Sequence, residues 1–301
     1  MKSLSYKMLL VGVFLFVTVF YASSQSLMSL MRSQEGNLGG EVEKNWERKA
    51  KDLILYNDDY CDFYIVVLRG KKAYDVHPGR NLIVMGRSRK KSDYTYSKAS
   101  VSQISINKFS GPLYKRDINS YRLRYYPGRF PKKLDKSFPY ALPVKHGKET
   151  SWRTDSLETC LTLNFSIPEG DTVYATRSGT VCKAGDGRQV LVYHSDCTFA
   201  AYLMLERKFV SPGDEIHTGE PIGVASPEGV SISFYYLDKT QFRRGEKVAD
   251  YPYAHFVPVF RTDEGDVRPE EGKPYRAVTD DVLITQEMSK RERSQYLKDK
   301  K

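Results

Sequence analysis

Five histidines, His77, His146, His194, His217 and His255, and four cysteines, Cys61, Cys160, Cys182 and Cys197, are the side chains here best suited to general-base, nucleophilic or zinc chemistry. No two cysteines form a CxxC pair, so a structural zinc knuckle is not expected. His194, Ser195 and Asp196 hold the residue types of a hydrolase triad. They are consecutive, however, and neighbouring side chains in a strand diverge where a triad must converge. Cys160 with a distant histidine is a further nucleophile candidate, but no Cys–His signature surrounds it. A buried thiol or half-cystine on the strand-like run LTLNF is its competing reading. Four cysteines allow three full pairings, and the sequence does not choose among them.

The elements that position these groups occupy 301 residues, a prior of roughly two domains. The hydrophobic share is 40% and the charged share 28%, which excludes wholesale disorder. The formal net charge is +10 and evenly spread. No nucleic-acid-binding signature accompanies it, so a solvated surface accounts for it best. Only one apolar run approaches membrane length, which excludes a multi-pass membrane protein. That run, Met8 to Ala22, follows Lys2 and Lys7 and precedes Ala22-Ser23-Ser24. Residues 1–24 thus read as an export signal, with an uncleaved anchor as the alternative. No other membrane segment is expected.

Residues 25–48 are polar and Gly-bearing and read as a linker. From 49 to 126, β-rich runs (LILY, FYIVVL, LIVM, VSQISI, YRLRYY) alternate with turns, suggesting a small β-sandwich-like module. The basic cluster RSRKK at 87–91 reads as a solvated loop. Residues 127–154 are proline-rich and predict an extended connection at a domain boundary. From 155 to 245, turn signals recur between LTLNF, TVYAT, TVCKA, QVLVYH, FAAYLML, PIGVA and VSISFYYL, which predicts a compact antiparallel β domain. An extension follows over 246–284. The basic tail 285–301 is the best helix candidate, with Thr285 as its cap and Glu287 in its first turn. The expected fold is all-β with a short C-terminal helix.

Several elements of the second domain are specific and ordered. Asn164-Phe165 precedes IPEGDTVYA at 167–175; SGTVCKAGDGRQVLVYHSDCTFAAYL follows at 178–203, then VSPGDEIHTGEPIG at 210–223. This series closely resembles the lysostaphin/LytM-type zinc metallopeptidases, the duplicated-hybrid-motif domain. NDDYC at 57–61, LPVKHG at 142–147, VPVFRTDEG at 257–265 and EEGKPYRA at 270–277 resemble, more weakly, the flanks of one subgroup. The resemblance implies a LytM-type antiparallel β-roll with a groove, and an activity that cuts peptide cross-links in bacterial cell wall.

The family holds one zinc through an H-x-x-x-D motif and the second histidine of an H-x-H, and water fills the open position. The first histidine of H-x-H and one from the preceding strand assist as general base and oxyanion stabiliser. Carried over by position, H-x-x-x-D falls on Cys160 and Asn164, the assisting histidine on Met204, and H-x-H on Ser231 and Ser233. All five are replaced. No histidine lies between 147 and 193 or between 218 and 254, so a shift of register does not restore the set.

The resemblance with these replacements implies a zinc-free pseudoenzyme of the cell envelope or periplasm, with no catalytic and no metal-binding residues. Its groove would be lined by Cys160, Asn164, Met204, Ser231 and Ser233. The partners implied are peptidoglycan peptides or a cell-wall hydrolase. The alternatives are an active endopeptidase with a non-standard site and a structural envelope protein. His194 reads as a strand-end histidine outside the ligand set, His217 as an exposed turn residue, and His146 as part of the extended segment.

Overall fold

The computed structural model describes residues 38–45, 50–57, 59–69, 82–84, 101–105, 121–157, 160–184, 187–244 and 247–300. The export signal at 1–24 and the basic cluster at 87–91 lie outside them. Among the described residues, no helix is long and apolar enough to cross a membrane.

The chain is built of strands with a few short helices. Its centre is an eight-stranded antiparallel sheet. The order is Glu215–Ile216, Gly179–Lys183, Gln189–Tyr193, Thr198–Leu203, Val230–Leu237, Cys160–Phe165 and Trp152–Leu157, with Tyr253–His255 added against Val230–Leu237. Strand side chains alternate between faces, and both faces of this sheet are buried. One face sends Leu163, Phe165, Val190, Val192, Tyr202, Ile232 and Phe234 into the main core. A second sheet of Thr172–Tyr174, Pro221–Ala225 and Leu205–Lys208 contributes Val173, Ile222 and Ala225 to that core. The other face carries Cys160, Leu191, Phe199, Ala201, Leu203 and Tyr235 into a second core. Burial on both sides explains the near-continuous apolar runs QVLVY and FAAYL.

The five β-rich runs of the first half are all strands, in two three-stranded sheets. Residues 38–45, read as linker, are instead a strand: Leu38–Asn45 pairs antiparallel with Ala50–Asn57. Glycines and alternating charges hide its strand character in the sequence.

The proline-rich stretch is not a spacer between independent units. Pro139–Ala141 pairs in parallel with Val259–Thr262, and Glu149–Thr150 pairs with Tyr275–Arg276. Tyr140, Leu142, Val144 and Trp152 enter the main core. The stretch is extended because it supplies strands to the C-terminal extension.

The tail is helical over Lys290–Asp299, but Ser289 caps it in a capping box with Glu292. Thr285 instead ends a short helix, Asp281–Thr285, and its hydroxyl donates to the Asp281 carbonyl at 2.6 Å. Glu287 lies before the helix and serves Arg177. The Arg177 guanidinium donates to Glu287 Oε1 and to Asp196 Oδ2, each at 2.8 Å, and to the Tyr140 hydroxyl at 2.9 Å. It also lies over the Phe138 ring, 4.1 Å from the centroid. Burial works against its charge, but Tyr140, Glu287 and Asp196 outweigh that and hold its pKa above the ordinary value.

Candidate functional site

Antiparallel register brings the five residues to which the resemblance carries the family's motifs toward one region of the sheet. Asn164 is paired with Ser231, and Ser231 in turn with Leu203. Residues two apart share a face, so Cys160 and Asn164 point the same way as Ser231 and Ser233. Met204 follows directly on Leu203, where the chain breaks between two strands. Its φ is +66°, the left-handed region that a residue with a side chain seldom occupies. The sharp turn it makes places its sulfur 3.6 Å from Ser231 Oγ. Ser231 Oγ also donates to Asn164 Oδ1. Asn164, Met204 and Ser231 therefore form one contact cluster.

Cys160 and Ser233 are linked through two residues from farther along the chain. The Cys160 thiol donates to the Tyr251 hydroxyl oxygen at 3.6 Å, and the Tyr251 oxygen lies 2.7 Å from His255 Nε2. His255 Nδ1 lies 3.0 Å from Ser233 Oγ, which donates to the Leu161 carbonyl at 2.6 Å. The proton order follows from the ends inward. Ser233 spends its proton on Leu161, so His255 Nδ1–H donates to Ser233. His255 Nε2 is then an acceptor and takes the Tyr251 proton, and Tyr251 accepts from Cys160. Such a chain needs a neutral imidazole. Burial supplies it by lowering the His255 pKa to about 4.

Tyr251 and His255 escape the sequence reading because they lie beyond the stretch that carries the resemblance. The strand Tyr253–His255 brings them back by pairing Tyr235 with His255. The only signal available was that His255 is one of just five histidines.

This face is not an open groove. Ser233 is 0% exposed, Ser231 3%, Cys160 5% and Met204 9%, while Asn164, Tyr251 and His255 are partly exposed. The cover comes from the N-terminal half. Cys61, Phe63 and Tyr64 pack into the same core as Cys160 and Met204, beside Tyr126 and Phe242. The rings of Tyr64, Phe130 and Phe242 meet edge to face at 4.7–5.5 Å. Asp62 fixes the cover at its polar rim. Its carboxylate accepts from the Tyr193 hydroxyl at 3.0 Å and pairs with Arg129 at 3.2 Å.

The other candidates fall elsewhere. His194 Nδ1 bonds the Ser178 carbonyl at 2.8 Å, Ser195 donates to Glu287 at 3.0 Å, and Asp196 holds Arg177. The three consecutive residues thus serve three separate partners and build no triad. Burial, then the nearby Arg177 charge, lowers the His194 pKa to about 4. His146 is exposed and accepts the Thr279 backbone N–H at 3.0 Å, while His217 is partly buried. A cavity of about 360 Å³ opens away from the five positions, lined by Arg129, His194, Cys197, Glu215, His217 and Glu292 among others. None of the four cysteines is disulfide-bonded. Among the described residues, no group of three or more His, Cys, Asp or Glu is placed to hold a metal ion.

The model of peptidase family M23 matches residues 161–249. Among solved structures, the chain is similar to the catalytic domain of the antimicrobial peptidase lysostaphin from Staphylococcus simulans, with 18% identity over 42% of this chain and 88% of that one (TM-score 0.25). It is similar to Csd3 of Helicobacter pylori, with 10% identity over 87% of this chain and 77% of that one (TM-score 0.28). It is also similar to a zinc containing peptidase from Vibrio cholerae, with 12% identity over 67% of this chain and 82% of that one (TM-score 0.24). No curated protein matches. The family M23 match thus falls on the antiparallel roll and covers less than a third of the chain, and it is this roll that is similar to the M23 peptidases.

Proposed function

We propose that this chain is a catalytically inactive M23-fold protein of the bacterial cell envelope that acts by binding, with peptidoglycan peptides or a cell-wall hydrolase as its partner. One observation carries the reading: the side chains at the positions that the resemblance assigns to metal and catalysis are taken up by hydrogen bonds, Asn164 and Ser231 with each other, Cys160 with Tyr251, and Ser233 with Leu161 and His255.

The donor set does not suit the zinc that the family would place here. Asn164 offers a neutral amide, and Ser231 and Ser233 offer hydroxyls whose deprotonation is prohibitive near neutral pH. The Ser231 proton goes to Asn164, the Ser233 proton to Leu161, and the Cys160 proton to Tyr251. Both nitrogens of His255 are engaged. Cys160 alone among the five could ligate as a thiolate, and one thiolate does not make a zinc site. No hydrolytic step is derived through a metal. The covered face favours a protein partner over a peptide lying across the five positions. A basic chain suits an acidic wall or an anionic partner.

Purified chain incubated with purified sacculi should release no muropeptides. Release that disappears in Cys160→Ala would establish an active non-standard site and overturn the reading. Co-sedimentation with sacculi, set against binding to a purified wall hydrolase, separates the two partner classes. Binding to neither overturns the binding role.

A further inference from the structure

We propose that the outward face of the C-terminal helix, with the lysines of the connection beside it, docks the chain on a bilayer surface of anionic phospholipid. This is a surface contact, not a span. It goes beyond the proposed function and does not depend on it.

The two signs of charge are segregated on the helix Lys290–Asp299. Its acids lie on the side turned toward the rest of the chain. Glu292 closes the capping box with Ser289 and lines the cavity with His217. Asp299 follows it by seven residues on the same side and accepts from Gln295 at 2.7 Å. On that side too, the Tyr296 hydroxyl donates to Asp281 Oδ1 at 3.3 Å, and Lys300 Nζ pairs with the same carboxylate. Residues three, four and seven apart share a helix face, so Lys290, Arg291, Leu297 and Lys298 project from the opposite side, with Arg293 at its flank. No residue of the helix is buried. Among the described residues, Lys290, Arg291, Arg293 and Lys298 make no side-chain hydrogen bond and no ion pair.

The basic face continues onto a second segment. Gln286 Nε2 donates to the Pro139 carbonyl at 3.0 Å, and Arg177 lies over the Phe138 ring while it holds Glu287. These contacts set the start of the helix beside the connection, where Lys132, Lys133 and Lys136 are exposed and likewise form no ion pair among the described residues. Asp135, the acid between them, is engaged by the backbone N–H and hydroxyl of Ser137.

Charge and apolar character together choose the occupant. A surface that serves solubility alone mixes both signs, whereas a one-signed face without counter-ions attracts an anion. Leu297 sits inside the basic stripe. Val282 is also exposed, in the short helix whose Asp281 holds Tyr296 and Lys300. A soluble polyanion gives these two side chains nothing. The boundary between headgroups and acyl chains takes them in while lysine and arginine meet the phosphates. Each such cation near an anionic leaflet is worth about fivefold in binding.

The test is amide hydrogen exchange over residues 290–299 of the full chain, with vesicles of phosphatidylglycerol or of phosphatidylcholine. The readout is local, so attachment of the apolar run at 8–22 to either vesicle does not imitate it. Phosphatidylglycerol should slow exchange there, phosphatidylcholine should not, and high salt should reverse the slowing. The triple change Lys290→Gln, Arg291→Gln and Lys298→Gln should raise the lipid concentration at half effect by about a hundredfold. Leu297→Ser should raise it by about threefold and leave the response to inorganic polyphosphate unchanged. Equal exchange with the two vesicles, or a triple variant that behaves as wild type, overturns the proposal. Slowing by polyphosphate with none by phosphatidylglycerol assigns the face to a soluble polyanion and overturns the choice of lipid. A Leu297→Ser variant that responds to vesicles as wild type removes the apolar contact and overturns that choice as well.

Discussion

Ser233 Oγ and His255 Nδ1 lie 3.0 Å apart, so a buried serine of the central sheet bonds to a histidine from the strand Tyr253–His255. The imidazole comes from a strand added late in the chain, and both of its nitrogens serve hydrogen bonding, to Ser233 and to Tyr251.

Acid should therefore undo this fold in a defined window. His255 and His194 both have folded pKa values lowered to about 4 from 6.5 by burial. The unfolded chain binds more protons between those values, so the stabilisation is complete above pH 6.5 and falls away as pH drops toward 4. Each histidine contributes on the order of 3 kcal/mol across that span. Urea midpoints measured from pH 7.5 to 4 should fall, and His255→Gln should flatten the slope. A profile as steep in the variant as in the wild type would remove His255 from the account.

Arg177→Met should destabilise the chain by about 3–5 kcal/mol, because it leaves Asp196 and Glu287 partly buried without their cation. Chemical denaturation measures the loss. The double change Arg177→Met with Glu287→Gln should recover part of it, and strict additivity would argue against the coupling.

Gly213 has φ +94°, and a Cβ there would fall 2.6 Å from the Tyr60 ring. Gly213→Ala should cost about 1–3 kcal/mol from backbone strain, and it should also lift the cover. Limited proteolysis reports the second effect. Cleavage near residues 57–62 should quicken in the variant, whereas an unchanged pattern would leave Tyr60 without a clamping role.

Zinc should neither bind nor stabilise. Metal analysis of the purified chain is expected to find far less than one zinc per chain, and added zinc should leave the melting temperature in place, since a ligand that binds the native state raises it. A clear rise in melting temperature with zinc would overturn this expectation.

What the sequence made legible follows from which contacts are local. The roll's strands from LTLNF to VSISFYYL are readable because apolar runs between Gly and Pro turns fix them residue by residue. The pairing of Asn164 with Ser231 follows from strand register, whereas Met204 joins them through a turn at positive φ that nothing in FAAYLML announces. Tyr251 and His255 are not, since they reach the sheet by pairing across a turn whose length sets the outcome. The cover is equally hidden: nothing local in DDYCDFY says which surface Cys61 and Phe63 will meet. Leu38–Asn45 looks like linker because pairing with Ala50–Asn57, rather than its own composition, makes it a strand. The tail helix begins at Ser289 because its capping box outcompetes the isolated Thr285, and because Arg177 claims Glu287.

The parallel pairing of Pro139–Ala141 with Val259–Thr262 sets an order on biogenesis. A nascent polypeptide halted at residue 250 would have every roll strand up to Val230–Leu237 but would lack Phe260, Tyr275 and Ala277 of the main core. It would also lack Glu287, the counter-ion of Arg177. Folding from the N-terminus during synthesis is thus denied a finished product, and the hydrophobic interior stays open to chaperones and proteases until the segment through Glu287 has been made. Premature termination anywhere upstream of 287 should yield a chain that is degraded rather than a smaller working one.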